Sequence, residues 1–125
     1  MQQNRHARIL IVEDDMLVRE LLVDILREAG FEAQEADCAR EALRELAARP
    51  FDLVMSDIDM PGELDGIDLA RHIGGSWPET RVILISGRSR PALPGDILFL
   101  PKPFTAARLI AAVTQMITQP ICLAS

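Results

Sequence analysis

No apolar run in this sequence approaches the roughly 20 residues that a membrane-spanning helix requires, so a membrane location by helical span is excluded. The opening residues, Met-Gln-Gln-Asn-Arg-His-Ala-Arg, lack the apolar stretch of a secretory signal peptide, and a cytoplasmic protein is expected. Cysteine is scarce. Cys38 and Cys122 fit no metal-ligand spacing and are too few for a disulfide scaffold, which leaves reduced thiols as the expectation. Positive charge is short as well: 13 Lys+Arg stand against 19 Asp+Glu, a net charge of −6. That balance argues against nucleic acid or an anionic membrane as partner. Lysine is almost missing, since Lys102 is the only one among the 13 cationic residues. No internal repeat, low-complexity segment or linker interrupts the 125 residues, which read as one domain, 1–125, with a core at about 8–118.

What is present alternates between two periods. Ile9-Leu10-Ile11-Val12 is a β-branched run that stops at three acids and reads as a strand buried on both faces. Leu17, Val18, Leu21, Leu22, Ile25, Leu26 and Ala29 then recur at helical spacing over residues 16–29, with Gly30 closing the helix. Residues 31–36 mix acids with apolar side chains and suit an edge strand. Asp37 is expected to cap a second helix, whose apolar face is Ala42, Leu43, Leu46 and Ala47. Residues 51–56 form a second buried run, again ending at an acid, Asp57, and a third helix is expected over 66–73. Residues 82–85 and 97–100 are two more buried strands, and Thr105 can cap a last helix built on Leu109, Ile110, Val113, Met116 and Ile117. Strand alternating with helix predicts an α/β fold: a doubly wound parallel sheet of five strands, covered on both faces.

One segment breaks the rhythm. Residues 87–96 between the fourth and fifth strands include Pro91, Pro94 and Gly95, and proline inside so short a crossover leaves room for one helical turn at most. Four full helices are therefore expected, with an irregular crossover in place of a fifth.

Ligands of an open parallel sheet bind outside the carboxyl ends of its strands, where the winding reverses. The residues at those ends are Glu13-Asp14-Asp15, Asp57-Ile58-Asp59, Ser86-Gly87 and Pro101-Lys102-Pro103. In strand order 2-1-3-4-5 the first two groups share a pocket. Clustered carboxylates repel one another and require a cation or protons. Mg²⁺ is the natural choice, with Mn²⁺ as a substitute, because both take hard oxygen ligands and Mg²⁺ is commonly shared with phosphate oxygens. A hydroxyl (Ser86) and an ammonium (Lys102) complete a site suited to a transferring phosphoryl group, with a carboxylate as in-line nucleophile. Lysine acts on phosphate as a compact point charge, and the planar fork of arginine would not fill the same space. Taken singly, each of these residues is as readily a cap, a turn or a solvated side chain; their joint placement at successive strand ends carries the reading.

The chain resembles the receiver domain of two-component signalling. The residues that carry the resemblance are Ile-Leu-Ile-Val-Glu-Asp-Asp (9–15), Leu-Val-Met-Ser-Asp-Ile-Asp-Met-Pro (53–61), Asp-Gly (65–66), Val-Ile-Leu-Ile-Ser-Gly (82–87) and Lys-Pro-Phe (102–104). The resemblance implies a flavodoxin-like fold and a switch that accepts a phosphoryl group without being a turnover enzyme. It makes Asp57 the phospho-acceptor, Asp14 a direct metal ligand, Glu13 a ligand through water, and Asp59 a ligand through its backbone carbonyl. It also makes Ser86 the switch hydroxyl, Phe99 the switch aromatic, and Lys102-Pro103 a cis peptide. The implied phosphodonor is a sensor histidine kinase or a histidine phosphotransfer protein, and homodimers form in such families through the face that a fourth helix completes.

Three departures stand out. The loop 60–66 has one residue more than the usual pattern, residues 88–96 lack the usual fourth helix, and Asp59 adds an acid beside the pocket. Two other readings compete. A pseudo-receiver would keep the fold without phosphorylation, against which the intact Asp14, Asp57, Ser86 and Lys102 set argues. A haloacid-dehalogenase-like phosphohydrolase would share Asp57-Ile58-Asp59, but Lys102 ends the fifth strand and no residues remain for a cap domain. With residues 119–125 alone after the last helix, output by partner binding, onward relay of phosphate, or excision from a longer hybrid protein are the expected alternatives.

Overall fold

The β-branched runs become five strands, β1 (Arg8–Val12), β2 (Glu32–Ala36), β3 (Leu53–Asp57), β4 (Arg81–Ser86) and β5 (Leu98–Pro101). The amphipathic segments become α1 (Met16–Glu28), α2 (Ala39–Ala48), α3 (Gly66–Ser76) and α4 (Ala106–Thr118). This computed structural model describes residues 6–88, 92–93 and 96–118. All strand pairs are parallel, as the alternation predicts, and the order is β2-β1-β3-β4-β5, the flavodoxin-like sheet that the resemblance implies.

Alternate residues of each strand face opposite layers, which divides the core in two. Ile9, Ile11, Leu53, Met55, Ile83 and Ile85 meet α1 and α4 on one side. Leu10, Val12, Val54, Leu84, Leu69 and Ile73 pack with the α2 and α3 side on the other. Covered on both faces, β3 is buried throughout, whereas β2 at the edge exposes Glu32 and Glu35. The chain reverses its winding between β1 and β3. Val12 lies opposite Ser56 there, and Asp57 lies opposite Ile85 of β4.

Local chemistry fixes the helix ends. Asp15 caps α1 by accepting from the backbone N–H groups of Leu17 and Val18, and Gly30 follows with φ of 98°. Thr105 caps α4 as expected, its hydroxyl accepting from Arg108 N–H at 3.0 Å. At α3, Asp65 and Asp68 form a reciprocal capping box. Replacing Asp65 by alanine should cost about 1 kcal/mol; a urea midpoint unchanged from wild type would show that the box is dispensable.

Four expectations are corrected. Asp37 does not cap α2: the N-cap is Cys38, without a side-chain hydrogen bond, and Asp37 N–H instead donates to Glu41 Oε1 at 2.7 Å. The helix begins one position later than the acid suggests, and Glu41 in its first turn reaches back. β3 begins at Leu53 and includes Asp57, because the ladder to β4 continues through Ile85 and Ile58 N–H donates to Ile85 O at 2.9 Å. β5 begins at Leu98 and ends at Pro101 instead of spanning 97–100, its register set by pairing Leu98 with Ile83 and Pro101 with Ser86. α3 runs past Ile73 to Ser76, and its last bond joins Trp77 N–H to Ile73 O at 2.7 Å before Pro78. In the crossover, residues 92–93 and 96–97 are in neither helix nor strand; 89–91 and 94–95 lie outside the described residues, as does Cys122.

Candidate functional site

Three strand ends bring charge to one edge of the sheet. Past Val12, Glu13 still joins the ladder by donating its N–H to Ala36 O at 3.1 Å, and the residue is buried at 4% exposure. Asp14 follows on the exposed turn into α1. Asp57 is the last residue of β3 and is 9% exposed. Glu13, Asp14 and Asp57 each offer a carboxylate oxygen within 4.8 Å of the other two. Lys102, after β5, places Nζ 3.8 Å from Glu13 Oε1 and 3.7 Å from Asp57 Oδ1. Its backbone is hung on β4, with Lys102 N–H donating to Ser86 O at 2.9 Å, and the Lys102–Pro103 peptide is cis. Phe104 packs against the α1/α4 core and anchors the turn beyond.

Ser86 is buried at the end of β4, and its hydroxyl accepts from Arg88 N–H at 3.0 Å. As acceptor in that bond it keeps its own O–H for a further acceptor. Asp59 is placed apart from the three acids: its carboxylate pairs with Arg88 Nε at 3.5 Å, and both side chains are solvated. Phe99, half-buried on β5 opposite Leu84, packs on the α2/α3 side of the core.

Burial governs the electrostatics. Desolvation pushes the Asp57 carboxyl above its ordinary value; Lys102 and the Ile58 N–H pull it down, while the charges of Asp59 and Asp14 add to the rise. Glu13 is raised for the same first reason and by the charge of Asp57, against its bond from Asp15 N–H and the pull of Lys102. A lone ammonium at salt-bridge distance does not compensate two buried carboxylates. Oxygen-only donors at this spacing fit a hard divalent cation, since opposite ligands of an octahedral Mg²⁺ lie about 4.2 Å apart.

Two residues near the pocket carry no signal in the motifs. Ser56 Oγ donates to Asp57 O at 2.9 Å, steadying the peptide after the acid. Arg19 of α1 donates to Glu13 O at 2.8 Å and to Glu35 Oε1 at 2.9 Å. The available signal for Arg19 is a charge set into the apolar stripe formed by Val18, Leu22, Val23 and Leu26.

A doubly wound sheet with acids and a lysine gathered at its carboxyl edge defines an α/β domain with a charged, oxygen-donor site at that edge. Residues 9–114 match the response regulator receiver domain, and the chain belongs to that family of two-component signalling. The response regulator receiver protein CpdR of Brucella abortus is 36% identical over 88% of this chain and 96% of its own length. The sensor kinase CckA of the same organism is 37% identical over 89% of this chain, which spans 12% of that kinase. Among solved structures, the response regulator TrrA of Thermotoga maritima, in complex with Mg²⁺-BeF, has a TM-score of 0.80 at 33% identity, covering 88% of this chain and 98% of that one. No helix among the described residues is long and apolar enough to cross a membrane.

Proposed function

We propose that the chain is a single receiver domain that takes a phosphoryl group from a phosphohistidine onto Asp57, in the presence of Mg²⁺, and slowly hydrolyses it again. The observation that carries this reading is the close approach of Glu13, Asp14 and Asp57, with Lys102 Nζ 3.7 Å from Asp57 Oδ1. A carboxylate oxygen of Asp57 attacks phosphorus in line as the P–N bond of the donor imidazole breaks, and the leaving imidazole takes up a proton. Asp14 and Asp57 would hold the cation directly, Glu13 through water, and Asp59 through its backbone carbonyl. Bound there, Mg²⁺ would neutralise charge on the phosphoryl oxygens. Lys102 would neutralise another of those oxygens, and Ser86 would donate a hydrogen bond to a third. Movement of Ser86 toward the phosphoryl group would be coupled to Phe99, which is half-buried on β5.

A sensor histidine kinase or a histidine phosphotransfer protein is the fitting donor, in keeping with the likeness to CckA. The site acts once per phosphoryl group, as a switch, in the cytoplasm where the donor and Mg²⁺ are found. Incubation with Mg²⁺ and acetyl phosphate should add one phosphoryl group by intact mass, and the adduct should fade over time. Multiple turnover of phosphate esters would favour a hydrolase, and no adduct from any donor would favour a pseudo-receiver.

A further inference from the structure

We propose that Arg19 is a positioning residue, held by Glu35, that sets the direction in which Glu13 and Asp14 present their carboxylates to the metal. The proposal rests on the reading of the acidic pocket as a Mg²⁺ site. Glu13 N–H ends the ladder on Ala36 O, but Glu13 O lies beyond the last paired position of β1 and has no strand partner among the described residues. Arg19 supplies one, with Nη1 donating to Glu13 O at 2.8 Å and Nε to Glu35 Oε1 at 2.9 Å. The side chain of Arg19 is 15% exposed and that of Glu35 40%.

Glu13 O belongs to the peptide that joins the two acids, so holding that plane fixes where Asp14 stands relative to Glu13 and hence how the two carboxylates are presented together. On either side of it the loop is already tied. Asp15 N–H donates to Glu13 Oε2 at 3.1 Å, and Asp15 caps α1. The middle peptide is the remaining freedom, and a rigid guanidinium fork referenced to β2 removes it.

Two simpler roles make different predictions. If Arg19 only joined α1 to β2, its loss would lower stability and leave the affinity of the intact pocket for metal unchanged. If it acted only through charge, a cation behind the acids would weaken Mg²⁺ binding, and its removal would tighten it. Loss of position weakens binding even when the charge is kept.

The test is titration of the full chain with Mg²⁺ by calorimetry, for wild type, Arg19→Lys, Arg19→Ala and Glu35→Gln, beside thermal unfolding in chelator. Arg19→Lys and Arg19→Ala should each weaken binding by about tenfold, the scale on which partners of metal ligands act. Glu35→Gln should weaken it in the same direction by less. In metal-free protein, the amide resonances of Asp14 and Asp15 should shift in Arg19→Lys. Affinity of Arg19→Lys within twofold of wild type, or tighter binding by Arg19→Ala, would overturn the proposal, as would variants that change only the melting temperature. Wild type that binds no Mg²⁺ would overturn the metal reading itself and this inference with it.

Discussion

Gly66→Ala should slow formation of the Asp57 adduct by about a hundredfold, the order of loss expected when a reacting group is displaced by about 1 Å. A Cβ at position 66 would overlap the carbonyl oxygen of Asp57 and stand 2.8 Å from the Cα of Ile58. Both neighbours are backbone at the end of β3, where Gly66 N–H also donates to Ile58 O at 2.9 Å. No flexible side chain can move aside, so the strain falls on the peptide that carries the acceptor. Alanine is the better helix former, worth up to about 1 kcal/mol, but overpacking costs about 1–3 kcal/mol. A net loss of stability accompanies the loss of rate. Gly74 in the same helix meets nothing within 4 Å, and Gly74→Ala should stabilise by roughly 0.5–1 kcal/mol with the rate unchanged. Equal behaviour of the two alanine variants in a phosphorylation time course would remove the steric argument.

Asp57→Asn should abolish the adduct and stabilise the metal-free protein at neutral pH. Burial raises the Asp57 carboxyl above its ordinary value of 3.8, and this outweighs the pull of Lys102. The folded state therefore holds the proton more tightly than the unfolded chain does. The resulting stabilisation is complete below the ordinary value and is lost as pH rises through the higher folded one. At neutral pH the ionised carboxylate is a cost, to which Glu13, raised in the same sense, contributes again. Asparagine keeps the shape and removes one buried charge. Its advantage over wild type should thus grow as the pH rises from the ordinary value of 3.8 through the higher folded one. Urea unfolding in chelator across that window reads the difference directly. An advantage that shrinks with rising pH, or a variant that no longer folds, would make Asp57 a structural anion and not an acceptor held in reserve.

The two expectations depend on different kinds of information. That Asp14, Asp57 and Lys102 gather at one edge with the end of β4 was legible from sequence, because a doubly wound parallel sheet sends every carboxyl end to the same edge, and buried runs mark those ends. The same logic predicted the parallel sheet and the four helices, while the strand order came with the family resemblance. It failed at α2, where the acid at position 37 looked like a cap and Cys38 holds the place. It stopped short at α3, where Gly74 and Gly75 weaken the local signal but the Trp77 N–H bond to Ile73 O and the packing of Trp77 against the core carry the helix on to Ser76. Ladder partners on β4 and not local propensity settled the ends of β3 and β5.

Composition and periodicity by themselves determined the class of fold, the edge of the sheet that carries the chemistry, and the residue types gathered there. Only the tertiary structure decided which acids face one another. Glu13, Asp14 and Asp57 converge, while Asp59, two residues from Asp57, turns to Arg88. It also decided that Arg19 grips the acidic loop and that Gly66 lies against the acceptor's own peptide. The physical reason is range. Periodicity reports which face of its own element a residue occupies, whereas the direction of a carboxylate and the space beside a Cα are set by neighbours far away in the chain.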